Sequence, residues 1–124
     1  MTHGIEILFV DDNEDIRSLV RDTGLMLDLR VKAFRDPAKA LEELRNHAGK
    51  YCAVVSDYRI GFEMTGLHFL ERAKQICGGR AAYVLYTGET HEKLQELAKE
   101  VGVHYVFKEP GKTRDFLKSL GETG

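Results

Sequence analysis

Short apolar runs alternate with amphipathic stretches along this chain. Residues 5 to 10, Ile5-Glu6-Ile7-Leu8-Phe9-Val10, read as a first strand. From about Asn13 to Met26, Ile16, Leu19, Val20 and Thr23 fall on one face of a 3.6-residue period and predict a helix. Leu29, Val31 and Ala33 then alternate with Arg30 and Lys32, which suits an edge strand with one wet face. Asp36-Pro37 offers an N-cap and a proline at the first helical position, opening a helix that carries Leu41 and Leu44 to about Ala48. Cys52-Ala53-Val54-Val55-Ser56 is a third, buried strand and ends in Asp57. After a loop from Tyr58 to Thr65, a helix carries Gly66, Phe69, Leu70, Ala73, Ile76 and Cys77 on one face, and Gly78-Gly79 stops it. Ala81 to Tyr86 is a fourth strand, followed by Thr87-Gly88-Glu89-Thr90 and a helix with Leu94, Leu97, Ala98 and Val101 at i, i+3, i+4, i+7, closed by Gly102. His104-Tyr105-Val106-Phe107 is a short fifth strand before Lys108, and Phe116, Leu117 and Leu120 line the last helix.

Strand and helix thus alternate five times. Continuous apolar strands between amphipathic helices predict a parallel sheet covered on both faces, joined by right-handed crossovers. An edge-like second strand, with the first and third in the centre, favours the order 2-1-3-4-5. This is a flavodoxin-like (βα)5 doubly wound sandwich, an α/β fold whose switch point lies between strands one and three. No composition shift, repeat or linker divides the chain, so residues 1 to 124 are expected to form a single domain.

Composition narrows the function classes. The 124 residues suffice to bury a core without disulfides or a structural metal. With 18 Lys and Arg against 20 Asp and Glu, the net charge of -2 offers no broad basic field, so direct nucleic-acid binding is not expected. Cys52 and Cys77 lack a CxxC pattern and are expected to be reduced core residues. Met1-Thr2-His3-Gly4 has no basic segment or long apolar run after it, and no apolar stretch is long enough to cross a bilayer. A soluble, cytoplasmic protein with no membrane role is expected.

The chemistry gathers at the strand ends. Asp11-Asp12-Asn13-Glu14-Asp15 follows the first strand, and Asp57 follows the third. Neighbouring parallel strands would bring Asp11, Asp12 and Asp57 together at the carboxyl edge of the sheet, where open α/β folds place ligands. Three carboxylates repel one another and call for a cation. Thr87 and Lys108 end strands four and five on the same rim. Carboxylate oxygens in a half-built site suit Mg²⁺, which keeps positions open for phosphate oxygens. A phosphoryl group there would meet Mg²⁺, the Lys108 ammonium and the Thr87 hydroxyl while a carboxylate attacks phosphorus. Asp57, alone on its strand end and central to the others, is the expected nucleophile.

Asp11-Asp12, Asp57, Thr87 and Lys108, each at its strand end, resemble the signature of the receiver domains of two-component response regulators, and the resemblance covers essentially the whole chain. It implies that Asp57 accepts a phosphoryl group from a phosphohistidine of a sensor histidine kinase or histidine phosphotransfer protein. It implies that Asp12 binds Mg²⁺ directly with Asp57 and the backbone carbonyl of Arg59, with Asp11 assisting through water, and that Thr87 and Lys108 hold the phosphoryl oxygens. Tyr105 stands where the family couples its site to a surface. When Thr87 moves toward the phosphoryl group, the ring would turn inward and reshape the surface of helix four, strand five and helix five for a downstream protein partner. Such a chain catalyses its own phosphotransfer and dephosphorylation only, and is neither a kinase nor an ATPase. It would be a monomer or a phosphorylation-dependent dimer. The alternative is an interaction module of the same fold that works without phosphorylation.

The chain departs from the pattern of that family in places. The family usually has proline directly after the lysine, joined by a cis bond, but here the run is Lys108-Glu109-Pro110. A cis Lys108-Glu109 bond would cost about 3 kcal/mol, so the loop is expected to take another path or to move the cis bond to Pro110. The loop Tyr58-Arg59-Ile60-Gly61-Phe62-Glu63-Met64-Thr65-Gly66 has Gly61 where proline is common, and is one residue longer. After Leu120 only Gly121-Glu122-Thr123-Gly124 remain, so an effector domain is not expected. The resemblance implies that Arg59 and Glu89, two residues beyond Asp57 and Thr87, flank the path of attacking water. Gly111-Lys112-Thr113 has the end of a P-loop motif but Val106 where its first glycine belongs. Aspartyl phosphatases place their nucleophile in a DxD motif, and residue 13 is Asn. His3, His47, His68, His91 and His104 show no ligand spacing and are expected at the surface or in caps.

Overall fold

The computed structural model describes residues 5–61, 63–90 and 92–122. Its strands are β1 (Ile5–Val10), β2 (Leu29–Phe34), β3 (Ala53–Ser56), β4 (Ala82–Thr87) and β5 (His104–Phe107). All pair in parallel in one sheet of order β2-β1-β3-β4-β5, the expected flavodoxin-like arrangement. Helices α1 (Glu14–Met26), α2 (Pro37–Asn46), α3 (Gly66–Cys77), α4 (Glu92–Glu100) and α5 (Thr113–Glu122) connect and follow them.

The side-chain period of two along each strand feeds two cores. From β1, Leu8 and Val10 join Leu41, Leu44, Phe69, Leu70 and Leu94 on one face of the sheet. Ile7 and Phe9 join Val20, Tyr86, Leu117 and Leu120 on the other. All four residues of β3 are buried, as a central strand requires.

Local chemistry sets the helix starts. Asn13, Asp36 and Thr65 each cap a helix by accepting a backbone N–H, from Ile16 at 3.1 Å, Ala38 at 2.9 Å and His68 at 3.2 Å. Pro37 stands in the first turn of α2 as expected. That helix stops at Asn46, short of Ala48, because His47 leaves helical geometry and residues Ala48–Lys50 form a separate tight turn. The turn redirects the chain into β3. Strand β4 likewise starts at Ala82 and extends through Thr87, since Gly78–Arg80 take up a turn after α3.

Register decides what the strand ends present. Val10 is paired with Ser56, so Asp11 and Asp57 leave adjacent strands at the same height. Thr87 is paired with Phe107, and Lys108 follows immediately.

Candidate functional site

Asp11, Asp57, Thr87 and Lys108 meet at the carboxyl edge of the sheet. Asp11 is buried to 1% exposure, and its Oδ1 accepts the N–H of Asn13 at 2.9 Å. Asp57 is partly exposed, and its Oδ1 accepts the N–H of Tyr58 at 2.7 Å. The remaining oxygens of both carboxylates converge on one group. Lys108 Nζ lies 3.1 Å from Asp11 Oδ2 and 3.2 Å from Asp57 Oδ2.

Burial pushes the Asp11 carboxyl above the usual carboxylate range, against the opposing pull of the Asn13 hydrogen bond and the Lys108 charge. For Lys108, burial works to lower the ammonium pKa. The charges of Asp57 and Asp11 and the hydrogen bonds to both outweigh it, so the group is held above its ordinary value. Two carboxyl groups thus share one ammonium.

The cation that the acid cluster calls for is therefore met, in part, from within the chain. Asp12 sits exposed beside the pair. Among the described residues no three His, Cys, Asp or Glu side chains stand close enough to form a ready metal cage. The reason is the geometry of a strand end, where consecutive side chains diverge: Asp11 turns in toward Lys108, and Asp12 turns to solvent.

Thr87 is buried, and its Oγ1 accepts the N–H of Glu89 at 3.3 Å. The Tyr105 hydroxyl donates to the carbonyl of the same Glu89, and its ring packs partly buried against the core on the α3 side. The Glu89 side chain turns outward to Arg59, whose Nε and Nη2 donate to its two carboxylate oxygens at 2.8 and 3.3 Å. Arg59 and Glu89, read from sequence as neighbours of the water path, thus tie the β3–α3 loop to the β4–α4 loop. In that first loop Arg59 bridges to Thr65, and Gly66 donates its N–H to the Tyr58 carbonyl at 2.6 Å. A side chain at Gly66 would collide with the Asp57 carbonyl oxygen, so glycine is what lets α3 start this close to Asp57.

Two contributors escaped the sequence reading. Gly66 looked like one face residue of a helix. Tyr86 looked like plain strand, though a buried tyrosine needs a partner for its hydroxyl and so carried a signal. Lys108 Nζ lies over the Tyr86 ring at 5.7 Å from its centroid.

Other expectations resolve simply. The Lys108-Glu109-Pro110 path contains no cis peptide bond, so the loop takes another course. Cys52 and Cys77 are free thiols, half-buried and buried, and burial pushes both up. His47, His68 and His104 are exposed, whereas His3, His91 and Phe62 lie outside the described residues, as do residues 1 to 4 and the final Thr123-Gly124. Lys112 of the Gly-Lys-Thr run pairs with Asp115 at 4.0 Å on the surface. No described helix is long and apolar enough to cross a membrane.

No protein-family model matches this chain, and no curated protein sequence does. Solved structures do. The chain is similar to the chemotaxis protein CheY4 of Vibrio cholerae, with 23% identity over 96% of this chain and 98% of that one and a TM-score of 0.83. It is similar to the signal receiver domain of an HD domain-containing protein from Pseudomonas fluorescens, at 25% identity, covering 98% and 88%, with a TM-score of 0.83. A response regulator from Burkholderia pseudomallei, described with a phosphorylated aspartic acid, a calcium ion and citrate, matches at 20% identity over 94% and 66%, with a TM-score of 0.80. Over nearly its full length, the chain has the CheY-like fold of response regulator receiver domains.

Proposed function

We propose that this chain is a phosphoacceptor switch of two-component signal transduction, with Asp57 as the residue phosphorylated. The observation that carries this reading is the convergence of Asp11 and Asp57 on Lys108 at the switch point of the sheet, with Thr87 beside them. A carboxylate oxygen of Asp57 forms a bond to phosphorus as the bond from phosphorus to the donor nitrogen breaks, and the leaving imidazole takes a proton. Lys108 and the Thr87 hydroxyl hold the phosphoryl oxygens and offset the charge that moves onto them.

The donor set fits a hard divalent cation. Asp11 is a buried carboxylate beside Lys108, and the exposed Asp12 follows it at the end of the same strand. Asp11, Asp12, Asp57 and the Arg59 carbonyl are the groups proposed to hold Mg²⁺. Bound there, Mg²⁺ supplies charge neutralisation and a template for phosphoryl oxygens. The calcium ion and phosphorylated aspartic acid described for the Burkholderia protein support this assignment.

The donor is a sensor histidine kinase or a histidine phosphotransfer protein, and the setting is cytoplasmic. Output runs through the bond from Tyr105 to Glu89, which sits two residues from Thr87. Movement of Thr87 toward the phosphoryl group releases Tyr105 inward and changes the α4–β5–α5 surface for a protein partner, as a monomer or a phosphorylation-dependent dimer.

Intact-mass spectrometry after incubation with a small-molecule phosphodonor and Mg²⁺ tests this. One added phosphoryl group is expected in the wild type and none in Asp57→Asn or with a chelator. A wild type that stays unmodified with several donors would return the chain to the phosphorylation-independent reading.

A further inference from the structure

Successive residues at the end of β4 face three ways. Leu85 enters the core on the α3 side, Tyr86 enters the core on the α5 side, and Thr87 is buried at the strand end with its Oγ1 accepting the N–H of Glu89. Tyr86 is 2% exposed. Its ring lies flat on Phe116 of α5, with centroids 4.0 Å apart and planes 4° from parallel. Its hydroxyl is 3.5 Å from Thr113 Oγ1 in the first turn of the same helix. A cavity of about 720 Å³ between β5 and α5 is lined by both rings together with Val106, Phe107 and Lys112.

Lys108 needs such support. A lysine carries its charge on a flexible stem with rotamer freedom to lose, and two carboxylates alone do not fix the direction from which the ammonium approaches. Its backbone is anchored by the N–H donated to Thr87 at 2.8 Å, and its ammonium meets the face of Tyr86 within the range of a cation–π contact. The ring closes the remaining side of a space bounded by Asp11 and Asp57.

We propose that Tyr86, held flat by Phe116, is a positioning residue that fixes the Lys108 ammonium between Asp11 and Asp57 for phosphoryl transfer. This rests on the phosphoacceptor reading. Binding energy here goes into preorganisation, since an ammonium already in place costs nothing to reorganise when charge develops on the phosphoryl oxygens. The stack also makes α5 part of the site, because Phe116 supports the ring from that helix. The ring face does this, and the hydroxyl does not.

The test compares Tyr86→Leu, Tyr86→Phe and Phe116→Leu with the wild type in two measurements. The first is the rate of phosphorylation by a small-molecule phosphodonor at saturating Mg²⁺. The second, made without donor, is the NMR shift of the Lys108 ε-methylene, assigned by its loss in Lys108→Arg. In the wild type this resonance is expected upfield of the other lysines, by the ring current of Tyr86. Tyr86→Leu should return it to the lysine envelope and slow phosphorylation roughly fivefold. Tyr86→Phe should keep the shift and stay within about twofold of the wild-type rate, since the ring face is retained. Phe116→Leu should shift the resonance part of the way and slow the reaction less than Tyr86→Leu. A wild-type resonance inside the envelope, or a Tyr86→Phe rate as low as that of Tyr86→Leu, overturns the proposal with the phosphoacceptor reading intact. A wild type that takes up no phosphoryl group overturns both, and the two failures are told apart by the mass measurement.

Discussion

Beside α2, Tyr51 donates its hydroxyl to Glu43 Oε2 at 2.6 Å, and Lys32 stands 3.4 Å from the same oxygen. At the carboxyl edge of the sheet, Lys108 stands between Asp11 and Asp57 above the Tyr86 ring. Both places use lysine, carboxylate and tyrosine. In the first the charges cancel, and the hydrogen bond from Tyr51, helped by Lys32, holds the Glu43 carboxyl below its ordinary value. In the second a carboxylate is in excess, and burial holds Asp11 above its ordinary value. A balanced network ties α2 to the start of β3 and asks for nothing more. An unbalanced one has capacity left for a cation or for a charged group in transit.

Substitutions on the two sides should separate cleanly. The largest effect is expected for Asp57→Asn, with loss of all phosphoryl uptake, while Tyr51→Phe takes up the full amount; mass spectra of both after the same incubation show whether the networks are functionally distinct. Next comes Lys108→Met, which leaves two carboxylates facing each other. It should lower unfolding free energy at pH 7 by about 2 kcal/mol, a value reduced for the partial exposure of the lysine and of Asp57. Millimolar Mg²⁺ should restore more stability to this variant than it adds to the wild type, read from urea titrations. No gain in either protein would mean that no divalent site exists between the carboxylates, and equal gains would mean that Lys108 does not oppose the ion there.

Tyr51→Phe should cost about 1.5 kcal/mol at neutral pH, the low end of the worth of a hydrogen bond to a charged partner, as befits an edge of the core. Its pH dependence follows from the direction of the Glu43 shift. A carboxyl lowered in the folded state contributes stability that is present above the ordinary value of 4.5 and is lost as pH falls through the folded value. Wild type and variant should therefore converge in acid below that ordinary value of 4.5, as thermal melts from neutral pH into acid can establish. A constant gap would assign the loss to packing. The smallest stability effect is expected for Arg59→Ala, whose side chain is 74% exposed, so that the melting midpoint should hold. Kinetically it should change the decay of the phosphorylated protein more than the endpoint of phosphorylation. Decay at the wild-type rate, followed by mass spectrometry, would remove the Arg59–Glu89 clasp from the account.

Much of this was legible in the chain, and the reason is locality. Apolar periodicity reports which faces are buried, and Asp36-Pro37 and Gly78 act within their own turns, so the five strands, their order and the switch point could be read from residues near in sequence. The end of α2 at Asn46 was not, since it depends on where β3 must enter the sheet. At the site, local sequence is enough to say which residues arrive at the carboxyl edge: Asp11, Asp12, Asp57, Thr87 and Lys108 each end a strand or follow one. Which of them touch depends on the folded chain. The pairing of Val10 with Ser56 sets Asp11 beside Asp57, the turn of the strand end sends Asp12 to solvent, and Lys108 crosses from β5 to reach both. The direction of a charged side chain depends on neighbours that are distant in the chain, through Coulomb forces and the space that packing leaves, and neither is written in local periodicity.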